Sequence, residues 1–149
     1  MRKFLPFIII GAVLLIGYSY FKGINNTAVT LDQNVKESWG NVETSYQRRN
    51  DLIGNLVKTV QGAAEYEKGT LTAVIEARAK ATSVTIDPSN VTPEQLAQFQ
   101  QAQGGMSSAL SRLLVTVEQY PSLKANENFL KLQDELASTE NQILTARTR

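Results

Sequence analysis

A chain of 149 residues with 42% hydrophobic and 19% charged side chains has the composition of one folded domain plus a short extra segment. Its net charge of +1 is gathered into no long block of either sign, which leaves no electrostatic footprint for nucleic acid. Cysteine and histidine are both absent, which excludes a disulfide framework, a zinc site of the usual ligands, haem held by His or Cys, Glu-x-x-His di-iron pairs, any Ser-His or Cys-His nucleophile and an acylated-cysteine anchor.

Between Lys3 and Lys22 the 18 residues Phe4 to Phe21 carry no charged side chain. As a helix rising about 1.5 Å per residue they span roughly 27 Å, enough to cross a bilayer core of about 30 Å once. A basic Met1-Arg2-Lys3 start before an apolar run also describes a secretory signal peptide, and the exit of the run decides between the two. Gly17-Tyr18-Ser19-Tyr20-Phe21-Lys22 is bulky rather than small-x-small, and its aromatics suit the headgroup interface. Residues 1–22 are therefore expected to stay as a transmembrane anchor, holding the chain to membrane lipid through residues 4–21. Pro6 falls in the first turn, where a missing N–H costs little. Gly23, Asn25 and Asn26 then predict a joint over residues 23–30.

From residue 31 the pattern is helical. Trp39, Val42, Tyr46, Arg49, Ile53, Leu56, Val60 and Ala63 recur at alternating spacings of three and four, the seam of a helix packed lengthwise on others. With Leu31 and Val35 leading in, this helix is expected to run from Thr30 to Tyr66, 37 residues and roughly 55 Å. One of its seam positions, Arg49, is charged. Leu71, Val74, Ile75 and Arg78 do not continue the phase, so a turn is expected near Gly69 and a second helix over Thr70 to Ser83. Val84 to Val91, with Asp87-Pro88 and Ser89-Asn90, carries turn residues and no period, and reads as a loop.

Thr92-Pro93-Glu94-Gln95 announces a third helix, with Thr92 as cap, Pro93 in the first turn and Gln95 reaching back to complete a capping box. Leu96, Phe99, Gln103, Met106, Leu110, Leu113, Val117 and Tyr120 carry its seam until Pro121 stops it. Gly104 and Gly105 lie inside, at about 1 kcal/mol each relative to Ala, which points to close helix contact or, alternatively, to a hinge. After a turn at Pro121-Ser122-Leu123-Lys124, the residues Phe129, Leu132, Leu136, Thr139, Ile143 and Ala146 give a fourth seam. The expected fold class is all-α: an N-terminal transmembrane helix followed by an antiparallel four-helix bundle with long helices over residues 31–149.

Three blocks of residues carry a family resemblance. They are Trp39 with Arg48-Arg49-x-Asp51-Leu52-Ile53-x-Asn55-Leu56-Val57, then Glu76-Ala77-Arg78, then Glu118-x-Tyr120-Pro121-x-Leu123-Lys124-Ala125-Asn126 through Thr139-Glu140-Asn141 to Ala146-Arg147. Jointly they resemble the LemA family, bacterial membrane-anchored proteins of helical-bundle fold, over residues 31–147. Family members typically continue past the final Ala-Arg with a helical tail containing Tyr-Asn, whereas this sequence ends at Arg149. The resemblance implies a bundle on an anchor in the bacterial cytoplasmic membrane, and it implies no reaction. Arg2, Lys3 and the terminal amine before the anchor slightly outweigh Lys22 and Lys36 after it, so the domain is expected on the outer face.

A charge inside an apolar stripe has to be paired and hydrogen-bonded. Arg48, Arg49, Asp51, Glu76, Arg78, Glu118 and Glu140 are expected to share the interior, as an ion-pair network that sets how the helices align or as a partner or anion site built on Arg49. Trp39 and Tyr46 read as core. No catalytic, cofactor or metal residue is assigned: a carboxylate pair for sugar hydrolysis needs a cleft, and no long pocket-forming loop is visible. The function expected is a non-catalytic scaffold that associates with copies of itself, as a homo-oligomer, or with other membrane or envelope proteins. Tethering in a plane raises the effective concentration of identical rods. The alternative is a sensor in which Arg48, Arg49 and a Gly104-Gly105 hinge respond to an anionic ligand.

Overall fold

The computed structural model describes residues 5–63 and 65–148, together with the side chains of all of these except residues 5–8. Among them every regular element is helical: α1 (Leu5–Gln61), α2 (Lys68–Ser83), α3 (Pro93–Val117), the single turn α4 (Pro121–Lys124) and α5 (Glu127–Arg147). The chain forms two compact units, Met1–Glu37 and Ser38–Arg149.

The first unit holds the N-terminal part of α1, whose described side chains are exposed, large apolar ones such as Val13, Leu15 and Phe21 included. Residues 23–30, where the sequence predicts a joint, are helical without a break. No proline interrupts the ladder there, and Thr27 and Thr30 donate their hydroxyls back to the carbonyls of Gly23 (3.0 Å) and Asn26 (2.8 Å), so their polar groups are satisfied within the helix. Among the described residues no helix is long and apolar enough to cross a membrane. Phe4, where the expected anchor begins, lies outside the described residues, as do the side chains of residues 5–8.

In the second unit successive long helices alternate in direction. Tyr46 and Arg49 of α1 meet Phe99 and Gln103 of α3 in the same order, so these two run parallel. Arg49 meets Glu140, whereas Val42 and Tyr46 cluster with Ile143 further along α5, so α1 and α5 run opposite ways. α2 also opposes α1: Arg78 reaches Asn50, and Thr82 and the residues just past its end, Val84 and Ile86, line a cleft with Trp39 and Glu43. The result is an up-down-up-down arrangement of α1, α2, α3 and α5, with α4 as a turn between the last two.

Two apolar clusters fill it. The larger joins Ile53, Leu56 and Val60 of α1 to Val74, Met106, Leu113, Leu123 and Phe129. The smaller gathers Val42, Tyr46, Ile86, Phe99 and Ile143, with Trp39 packed against it. Phe99 sits 5.7 Å from Trp39 and 5.1 Å, edge-on, from Tyr46. Each fully buried aliphatic or aromatic side chain contributes about 1.5–3 kcal/mol over exposure. α1 buries more than its expected seam, because Asn50, Leu52 and Val57 are covered as well. A helix with three neighbours needs a broader covered stripe than a two-stranded seam.

Helix ends follow local chemistry. α1 stops at Gln61, short of Tyr66, as Gly62 and Ala63 donate to the carbonyls of Lys58 (3.0 Å) and Val60 (3.1 Å). α2 already starts at Lys68, so the turn precedes Gly69 rather than containing it. The capping box of α3 forms: the Gln95 N–H donates to Thr92 Oγ1 (3.2 Å), and the Thr92 N–H donates to Gln95 Oε1 (3.1 Å). Asn126 caps α5 by accepting from the Phe129 N–H (3.1 Å). Gly104 and Gly105 are exposed, and a Cβ added at either would meet nothing within 4 Å. No close helix contact accounts for them, because they occupy the outward face between buried Gln103 and Met106.

Candidate functional site

The spacing Tyr46, Arg49, Ile53 carries a guanidinium into the space between α1, α3 and α5, where Arg49 is only 2% exposed. Its Nη1 donates to Glu140 Oε1 on α5 (2.9 Å) and to Ser107 Oγ on α3 (3.0 Å). Its Nη2 donates to the side-chain oxygen of Gln103 and toward that residue's carbonyl (3.4 Å). Gln103 in turn donates from Nε2 to the Ala81 carbonyl at the end of α2 (3.4 Å). One side chain thereby fastens α1 to α3 and α5 and, through Gln103, to α2. The Tyr46 ring lies 5.0 Å from the guanidinium carbon, adding a cation–π contact on its face.

Glu140 is in touch with water, with its side chain 36% exposed, and Ser107 is only partly buried. Solvent therefore screens the ion pair, which contributes less than a fully buried one would. Arg49 Nε is buried without a hydrogen-bond partner among the described residues, as are Asn50 Oδ1 and Trp39 Nε1. Both terminal nitrogens of Arg49 face protein acceptors, so the guanidinium that the sequence offers as an anion receptor is already occupied. Among the described residues no group of three or more acidic side chains is placed to hold a metal ion.

The other residues expected to share this interior are placed differently. Arg48, Asp51, Glu76 and Glu118 are exposed, and the reason is helical phase. Arg48 and Asp51 stand about 100° and 200° around α1 from Arg49, off the covered stripe. Glu76 follows buried Val74 by two residues and so faces outward. Glu118 lies past the end of α3 and pairs with Lys124 at the surface.

Arg78 is half-buried but belongs to a second place. Its Nε donates to the Asn50 carbonyl (2.8 Å), and its guanidinium lies on α1 at Gly54, where an added Cβ would come within 3.1–3.2 Å of Nη2, Cζ and Nε. The contact at Gly54 and the partners Gln103 and Ser107 are absent from the sequence-derived site. Gln103 carries a legible signal, a polar residue in the α3 seam; Ser107, one turn on, and Gly54 carry none.

A model of the LemA family matches residues 38–149, the whole second unit. The two magnetosome proteins MamQ of Paramagnetospirillum magneticum are each 28% identical over 139 residues, covering 82% of this chain and 51% of their own length. Magnetosome protein MamQ of Magnetospirillum gryphiswaldense is 27% identical, with the same coverage of both chains. Protein LemA of Metamycoplasma hominis is 24% identical, covering 92% of this chain and 60% of its own. The chain thus spans about half the length of the MamQ relatives it matches.

Proposed function

The chain belongs to the LemA family, and from that premise we propose that it is a non-catalytic, membrane-associated scaffold that assembles with copies of itself or with other envelope proteins. Lipid contact is assigned to the uncharged run of residues 4–21, with the domain on the outer face of the bacterial cytoplasmic membrane. The observation that carries the assembly reading lies in the first unit. Ile24, Leu31 and Val35 are each more than half exposed, and together with Ala28 they recur at spacings of four, three and four. A helical stripe of this kind packs against another of its own sort, and copies inserted in one plane meet at raised effective concentration. The names of the relatives support the setting, since the MamQ proteins are named for the magnetosome.

A cysteine-free chain makes the test clean. Leu31→Cys and Val35→Cys are expected to crosslink between copies in membranes under mild oxidation, whereas Gln33→Cys, on the other side of the helix, is expected to stay uncrosslinked. Equal crosslinking at all three positions, or none at any together with a monomer at every concentration in detergent, would end the self-assembly reading.

A further inference from the structure

We propose that Arg78 anchors a carboxylate-binding site: the cleft between α1 and α2 takes an acidic side chain of a partner protein, with an adjoining apolar side chain laid on Ile75. The cleft holds about 530 Å³, within the range that accepts side chains or small ligands. Four observations converge on its occupant. The guanidinium is held in one pose, by the Nε bond to the Asn50 carbonyl (2.8 Å) and by the bare backbone at Gly54, while its terminal nitrogens have no hydrogen-bond or ion-pair partner among the described residues. A planar fork fixed in this way matches a carboxylate through two parallel hydrogen bonds.

Charge points the same way. Lys58 and Arg78 line the cleft against the single carboxylate of Asp51, which leaves one net positive charge, suited to a singly charged carboxylate and poorly to a doubly charged phosphate. Asp51 forms no ion pair within 4.0 Å of Arg78, so the fork is not already taken. Ile75, beside it and 40% exposed, supplies an apolar landing for the neighbouring side chain. The inference deepens the partner-binding reading and rests on it for the occupant's being protein; the crosslinks at Leu31 and Val35 are read without any peptide, so either can fail alone.

The test titrates the nitrogen-15-labelled 149-residue chain in detergent with acetyl-Leu-Glu-Leu-amide and with acetyl-Leu-Gln-Leu-amide, following the backbone amide resonances of Gly54, Asn55 and Ile75 in every variant and the Arg78 Nε–H where Arg78 is present. A saturable shift with the Glu peptide alone is expected. Arg78→Lys keeps the charge but loses the fork, and should weaken binding about tenfold or more. Asp51→Asn should tighten it several-fold, and Arg48→Ala should leave it unchanged. Equal response to both peptides, undiminished binding in Arg78→Lys, or weaker binding in Asp51→Asn would overturn the site. So would a response to inorganic phosphate or to phosphatidylglycerol vesicles with none to the Glu peptide. The contrast between Glu and Gln is read on the unaltered chain, so it decides for or against the site even where a variant melts early.

Discussion

Two arginines meet the same helix under opposite conditions. Arg49 is carried by α1 into the interior and is held by Glu140, Ser107 and Gln103, whereas Arg78 comes from α2, lies half-covered on Gly54 and has a single backbone bond. Removing a charge from water demands partners in return, and Arg49 has them on both terminal nitrogens. A charge left partly in water makes no such demand, and Arg78 keeps its fork toward a cleft. On the proposed reading one residue aligns helices and the other takes a partner, so the two are expected to differ in their sensitivity to substitution.

The largest expected effect is at Arg49. Arg49→Leu leaves Glu140 and Gln103 facing an apolar side chain, and should lower stability by about 2–4 kcal/mol in denaturant unfolding while the protein still sediments with membranes. An unchanged unfolding midpoint would mean that the four-helix fastening is ornamental. Glu140→Gln should cost less, about 1–2 kcal/mol, because an oxygen acceptor remains and the 36%-exposed carboxylate is already screened. The double variant should fall short of the sum by at least about 0.5 kcal/mol, the signature of residues in one network. Arg48→Leu, at an exposed neighbouring position, should stay within about 0.5 kcal/mol of the parent, and a larger loss would break the distinction between the two helix faces.

How much of this is legible in the sequence depends on whether a residue's role is set by its own helix or by another. Periodicity locates Val42, Tyr46, Ile53, Leu56 and Val60 on one face, and Thr92 with Gln95 marks the start of α3, because both signals act within a few residues. Arg49 is legible for the same reason, as a charge in a seam. Its partners are less so: that Glu140 faces it while Glu76 and Glu118 do not depends on how distant segments rotate against one another. The joint expected at residues 23–30 rests on composition alone, and polar residues are free to continue a helix when their side chains bond back to its own carbonyls. The pair Gly104-Gly105 suggests a close approach, yet the glycine against which another side chain presses is Gly54, and nothing around it in the sequence says so.

These glycines also offer the smallest and sharpest measurement. Gly54 and Gly105 both lie inside helices, so replacing either with Ala gains a similar amount in helix propensity, about 1 kcal/mol. At Gly105 the new methyl enters open space, and Gly105→Ala should raise stability by most of that amount. At Gly54 the methyl meets the guanidinium of Arg78 at 3.1–3.2 Å, so the side chain must give by a few tenths of an ångström, at the expense of its bond to the Asn50 carbonyl. The net bond is worth about 0.5–1.5 kcal/mol, which cancels the gain and leaves Gly54→Ala close to neutral. The difference between the two substitutions, measured as unfolding midpoints in one denaturant series, isolates the seat of Arg78 from the general benefit of removing a helical glycine. If Gly54→Ala stabilises as much as Gly105→Ala, the guanidinium rests on nothing it needs, and the pose from which it reaches the cleft is not held by α1.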